Sequence, residues 1–115
     1  MTTLYGIPNC DTVKKARTWL DAQGVAYAFH DFKKAGVPPQ LDHWLAQLGW
    51  EAVLNRKGTT WRKLDAAQQA AGHDAASAAA LLRAEPSAIK RPVVEWDDGA
   101  VTVGFAPEAW AARRT

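Results

Sequence analysis

The chain has 115 residues, the length of one folding unit at the usual ~50 to ~200 residues per domain. Hydrophobic residues make up 48% and charged residues 23%, a composition that excludes a disordered chain. Fourteen basic against twelve acidic side chains leave +2, too little to argue for nucleic acid or a membrane surface as partner.

No apolar run approaches the ~18 residues of a membrane-spanning helix, and Met1 leads into TTLYGIPNC without a signal-peptide core. Cys10 is the one cysteine, which excludes an intrachain disulfide and a thiolate metal cage. His30, His43 and His73 fit no metal-ligand spacing, so no metal site is expected. The expected address is the reducing cytoplasm.

In chain order, Leu4-Tyr5-Gly6-Ile7 reads as a buried strand ended sharply by Pro8-Asn9. From Asp11 to Gln23 the period changes: Val13, Ala16, Trp19 and Leu20 share one helical face, and Gly24 supplies the stop. Val25 to Phe32 alternates as a second strand, and a helical crossover of this length favours a parallel pair. Pro38-Pro39 opens a helix carrying Leu41, Trp44, Leu45 and Leu48, with Gly49 ending it.

Asn55 to Lys63 reads as a basic turn without apolar periodicity, and Asp74 to Ala84 as an alanine-rich helix anchored by Leu81 and Leu82. A strand near Val93-Val94-Glu95-Trp96, the turn Asp97-Asp98-Gly99 and Val101-Thr102-Val103 form a hairpin. A last helix runs from Pro107 to Ala112. The six tryptophans are scattered and read mostly as packing, with Trp61, in its basic segment, the exception. The expected fold is an α/β sandwich with one mixed sheet, a helical insert between the second strand and the hairpin, and a single domain over 1–115.

The chemistry points to Cys10, which follows the first strand where the first helix begins. A free thiol is largely protonated at pH 7, whereas a helix start, with its partial positive charge and unpaired amides, favours the thiolate. The competing reading is an inert core cysteine. The polar flanks Asn9 and Asp11 argue against it.

The segment Tyr5-Gly6-Ile7-Pro8-Asn9-Cys10-Asp11-Thr12-Val13-Lys14-Lys15-Ala16 resembles the active-site segment of the arsenate reductase ArsC / Spx / YffB family. Two further blocks match in order, Leu54 to Arg62 and Pro86 to Val93, and the likeness is greatest to the YffB-like branch. The resemblance implies a thioredoxin-like fold, Cys10 as nucleophile, and Arg56 and Arg91 as arginines facing the thiol. It also implies a proline, usually cis, at Pro92 before the third strand. Guanidinium forks bind anions, and exposed backbone beside such a proline suits the extended peptide of glutathione, held with the loop residues Asn9, Asp11 and Thr12.

Two departures shape the expected function. Where Spx regulators carry the second cysteine of a Cys-x-x-Cys switch, this chain has Val13. Where arsenate reductases have a third arginine, it reads Gly104-Phe105-Ala106-Pro107-Glu108. The expectation is therefore a glutathione-dependent thiol reductase with no tightly bound cofactor, glutathione as co-substrate and glutaredoxin as a further partner. One alternative is an arsenate reductase. The other is a non-catalytic, Spx-like protein that binds the RNA polymerase α subunit.

Overall fold

A computed structural model describes residues 2–56, 58–71 and 74–113. The chain divides into two compact units, one formed by residues 1–31 with 91–115 and the other by residues 32–90.

The first unit is built on a four-stranded sheet of order β2-β1-β3-β4, with β1 Thr2–Gly6, β2 Tyr27–Asp31, β3 Val93–Glu95 and β4 Val101–Val103. β1 lies inside the sheet, which explains its nearly continuous burial, Thr2 included. It pairs parallel with β2, placing Leu4 beside Phe29 and Tyr5 beside His30, and antiparallel with β3, placing Tyr5 opposite Val93.

The parallel pair is connected by α1, Asp11–Ala22, whose Val13, Ala16 and Leu20 are buried against Leu4, Val94, Trp96 and Trp110. Gly24, at φ 70°, closes α1 in the left-handed conformation that a side chain would resist, as the sequence predicts. The β3–β4 turn is held by Trp96 and Ala100, whose amide and carbonyl pair at 2.8 Å, and by the Asp98 carboxylate, which accepts from the Ala100 amide at 2.9 Å. That amide, and then Arg113 at 3.2 Å, hold the exposed Asp98 carboxyl below its ordinary range. The final helix, α8 in order along the chain, spans Pro107–Arg113 and buries Trp110 edge-on against Trp19, Trp96 and Phe105 at ring distances of 5.7, 5.2 and 5.0 Å.

The second unit is helical: α2 Phe32–Ala35, α3 Leu41–Leu48, α4 Trp50–Val53, α5 Thr59–Lys63, α6 Ala66–Ala71 and α7 Ala75–Ala84, followed by a 3-10 turn at Pro86–Ala88. α3, α4 and α7 pack together, burying Leu41, Trp44, Leu45, Val53, Leu81 and Leu82. Its exit is fastened by a bridge between Leu54 and Ile89, with the Asn55 amide on Ala88 at 2.8 Å and the Lys90 amide on Val53 at 2.7 Å. Among the described residues no helix is long and apolar enough to cross a membrane.

A mixed sheet with flanking helices and a helical insert between β2 and the hairpin is the thioredoxin-like class expected. Three local expectations need correction. The second strand begins at Tyr27 rather than Val25 and stops at Asp31, where Phe32 turns into α2 and packs at a tilt against Trp44 with ring centroids 6.3 Å apart. The helix expected from Pro38 begins at Leu41, after a turn in which the Leu41 amide donates to the Pro38 carbonyl at 3.1 Å. The basic segment Asn55 to Lys63 ends in α5 rather than remaining a turn. The helix expected over Asp74 to Ala84 is α7, capped by Asp74, which accepts from the Ser77 amide at 2.7 Å, and the short α6 precedes it.

Candidate active site

Cys10 occupies the position just before α1, with extended backbone at φ −84° and ψ 125°, and is partly buried. Its amide donates to the Ile7 carbonyl at 3.1 Å, closing a turn with Pro8 and Asn9 exposed at the tip. Its carbonyl accepts from the Lys14 amide at 2.9 Å, the first bond of the helix. The amides of Asp11, Thr12 and Val13 therefore have no acceptor within α1. Twelve residues of helix put the positive end of the dipole at the thiol.

This placement depends on Gly6. A Cβ there would lie 2.7 Å from Cγ2 of Val13, so only glycine lets the end of β1 approach the first turn of α1 this closely. A glycine inside a buried strand is the sequence signal for such an approach.

Arg91 and Pro92 reach the same end of the sheet from β3. Tyr5 opposes Val93, so the residues before Val93 lie beside the end of β1, from which the chain turns to Cys10. The Arg91–Pro92 peptide bond is cis, the conformation implied for Pro92. Gly104, at φ 81°, follows β4 and donates its amide to the Pro92 carbonyl at 2.9 Å. This clamp, and Phe105 next to it, were not singled out as site residues by the sequence. The first unit thus gathers Asn9, Cys10, Asp11, Thr12, Arg91 and Pro92 at one end of its sheet.

Arg56 belongs to the second unit. Its guanidinium lies over the Trp50 ring, 5.0 Å from the centroid, beside a recess of about 300 Å³ shared with Glu51, Leu54, Asn55 and Lys90. Gly58 permits the turn after it, since a Cβ at that position would meet Nδ2 of Asn55 at 2.7 Å.

One part-buried polar pair joins β1 and β3. The Tyr5 hydroxyl donates to the Glu95 carboxylate across β1 and β3, and the Tyr5 ring lies 5.1 Å from that of His30. Burial first, and then the Glu95 carboxylate, hold the phenol well above its ordinary value and keep it protonated. Among the described residues, no three His, Cys, Asp or Glu side chains are grouped to hold a metal ion.

The family model described as the ArsC family matches residues 5–113, nearly the whole chain and all of the elements just described except the first residues of β1. The chain belongs to the ArsC family. A solved structure of a YffB protein is 56% identical, covers 97% of each chain and superposes with a TM-score of 0.92. The solution structure of an ArsC-related protein from Brucella melitensis, described as arsenate reductase related, is 50% identical over 99% of this chain and 94% of that one, with a TM-score of 0.75. An uncharacterized protein of Haemophilus influenzae is 38% identical over 113 residues, 97% of each chain.

Proposed function

We propose that this ArsC-family protein is a glutathione-dependent thiol reductase in which Cys10 is the nucleophile. Family membership and an arsenate-reductase-related neighbour at 50% identity support an oxidoreductase. The observation that carries the finer reading is the position of the chain's one cysteine at the head of α1, at the sheet end that also holds Arg91 and the cis Pro92.

In the first step the Cys10 thiolate attacks the glutathionyl sulfur of a mixed disulfide. A new sulfur–sulfur bond forms on Cys10, and the other sulfur leaves as a thiolate and takes a proton from water. With no second cysteine in the chain, the adduct is resolved from outside. A glutathione thiolate attacks the glutathionyl sulfur, Cys10 leaves as thiolate, and oxidised glutathione departs. Overall the mixed disulfide and one glutathione give the freed substrate thiol and one oxidised glutathione, and Cys10 returns to its starting state. The position of Cys10 at the head of α1 sets its sulfur at the positive end of the helix dipole in both steps. Arg91 supplies positive charge for the carboxylates of glutathione. Glutaredoxin is a candidate alternative source of the resolving thiol.

Arsenate is the weaker substrate in this reading. A doubly charged oxyanion needs several fork-shaped donors, each charge-assisted bond contributing ~1.5–3 kcal/mol, and Gly104 to Glu108 contains no arginine. Steady-state assays with a glutathionyl mixed disulfide and with arsenate, each with glutathione, test the reading. Clear disulfide turnover with slow arsenate turnover is expected. Faster turnover of arsenate than of the disulfide overturns it.

A further inference from the structure

Beside the thiol, α1 carries a surface that the reduction of a small disulfide does not need. Lys14, Lys15, Thr18, Trp19 and Ala22, with Phe105, line an open groove of about 460 Å³. Successive steps of four residues from Cys10 run through Lys14, Thr18 and Ala22, so the groove continues one helical row that starts at the thiol. Its apolar wall is the half-buried pair Trp19 and Phe105, both fixed from behind by Trp110. Its rim is cationic. Lys14 and Lys15 are exposed, and among the described residues neither ammonium has a carboxylate within ion-pair distance.

We infer that the groove seats the protein part of the disulfide substrate: an acidic, extended segment with an apolar side chain about four residues from its modified cysteine. The inference rests on the thiol-reductase reading and names its substrate class. Nine residues of helix separate Cys10 from Trp19, about 13 Å, and an extended peptide covers that distance in about four residues. An apolar side chain at that spacing reaches Trp19 and Phe105 while the reacting sulfur is at Cys10, and carboxylates between them pass Lys14 and Lys15. Glutathione held near Pro92 is too short to occupy both places. The leaving thiolate of the first step belongs to this segment, so the groove holds the leaving group while Cys10 takes up the glutathionyl sulfur.

The test uses three glutathionylated decapeptides: an acidic one with Phe four residues from Cys, the same peptide with Lys for each Glu, and the acidic peptide with Ser for Phe. With the unaltered protein, kcat/KM for the acidic Phe peptide is expected about tenfold above that for each of the other two, the size of two exposed ion pairs or one seated ring. In the double variant Lys14→Glu, Lys15→Glu the preference between acidic and basic peptides inverts. The ratio of two peptides on one protein cancels any effect of the substitutions on the thiol itself.

Binding of the same three peptides, fluorescently labelled, to Cys10→Ser protein by anisotropy gives the same ranking without turnover. The docking proposal therefore stands or falls separately from the reductase reading, which fails if no disulfide is turned over. Equal binding of the three peptides overturns the proposal. So does a groove occupied by a second copy, seen as a concentration-dependent mass in sedimentation together with no discrimination among peptides.

Discussion

Gly6 and Val13 meet where the central strand hands the chain to the first helix, and a Cβ on Gly6 would stand 2.7 Å from a Val13 methyl. Val13 is fully buried and branched at Cβ, so it has little freedom to withdraw. This contact sets how closely the turn carrying Cys10 is drawn onto the sheet.

Gly6→Ala is therefore expected to lose about 1–3 kcal/mol of stability, the usual result of overpacking. Urea unfolding followed by tryptophan fluorescence measures it. The compensating variant Gly6→Ala with Val13→Ala should recover part of the loss. A single variant as stable as the parent would show that the strand end has room to spare.

The Tyr5–Glu95 hydrogen bond has a pH signature of definite sign. The folded-state value of the phenol is raised above the ordinary 10.0, so its stabilising contribution is complete below pH 10 and is lost as pH rises toward the folded-state value. Tyr5→Phe removes that dependence and leaves Glu95 without this donor, at a cost of about 1–3 kcal/mol at neutral pH. Urea midpoints at pH 8 and pH 11 for both proteins check it. The fall between the two pH values should be steeper for the parent. Parallel falls would mean that the phenol contributes nothing particular.

The legible part of the fold was the part made of local periodicity. Val13, Ala16 and Leu20 mark α1, and Asp98-Gly99 marks the hairpin, because both patterns are complete within a dozen residues. The alternation from Val25 to Phe32 exceeds the strand at both ends, at the far end because Phe32 fits the apolar pattern while its burial against Trp44 belongs to the helical unit. α5 and the separate α6 were missed because helices of five and six residues show no full apolar stripe. The alanines of 66–71 carry propensity without direction. In the site, Cys10 could be singled out by its place after a strand and before a helix. Gly104 could not, since its role is a backbone bond to Pro92 that joins residues distant in sequence.

Trp110 holds α8 against three other rings, and the stability of the first unit should reflect this. Trp110→Ala is expected to cost about 3–5 kcal/mol, near the upper end for a single core substitution. Near-ultraviolet circular dichroism should lose intensity, since the edge-on contacts with Trp19, Trp96 and Phe105 disappear together. A loss under 1 kcal/mol would place α8 outside the folding core.

Arg91→Ala is expected to lower reductase kcat/KM roughly 10- to 100-fold, the equivalent of one or two charge-assisted hydrogen bonds, with stability little changed. Arg91→Lys should recover part of the rate, since it restores charge without the planar fork. Steady-state rates at varied glutathione distinguish a binding role, in which KM rises, from a structural one, in which the melting temperature falls. Unchanged rates for Arg91→Ala would remove this arginine from the site.

The central claim is that Cys10 is a nucleophile resolved from outside the chain, and intact-protein mass spectrometry tests it most directly. After exposure to oxidised glutathione, the protein should gain the mass of one glutathionyl group, carried on Cys10, and lose it again on addition of reduced glutathione. Cys10→Ser protein should gain nothing. A folded protein that stays unmodified under these conditions, or an adduct that reduced glutathione does not remove, would contradict the account.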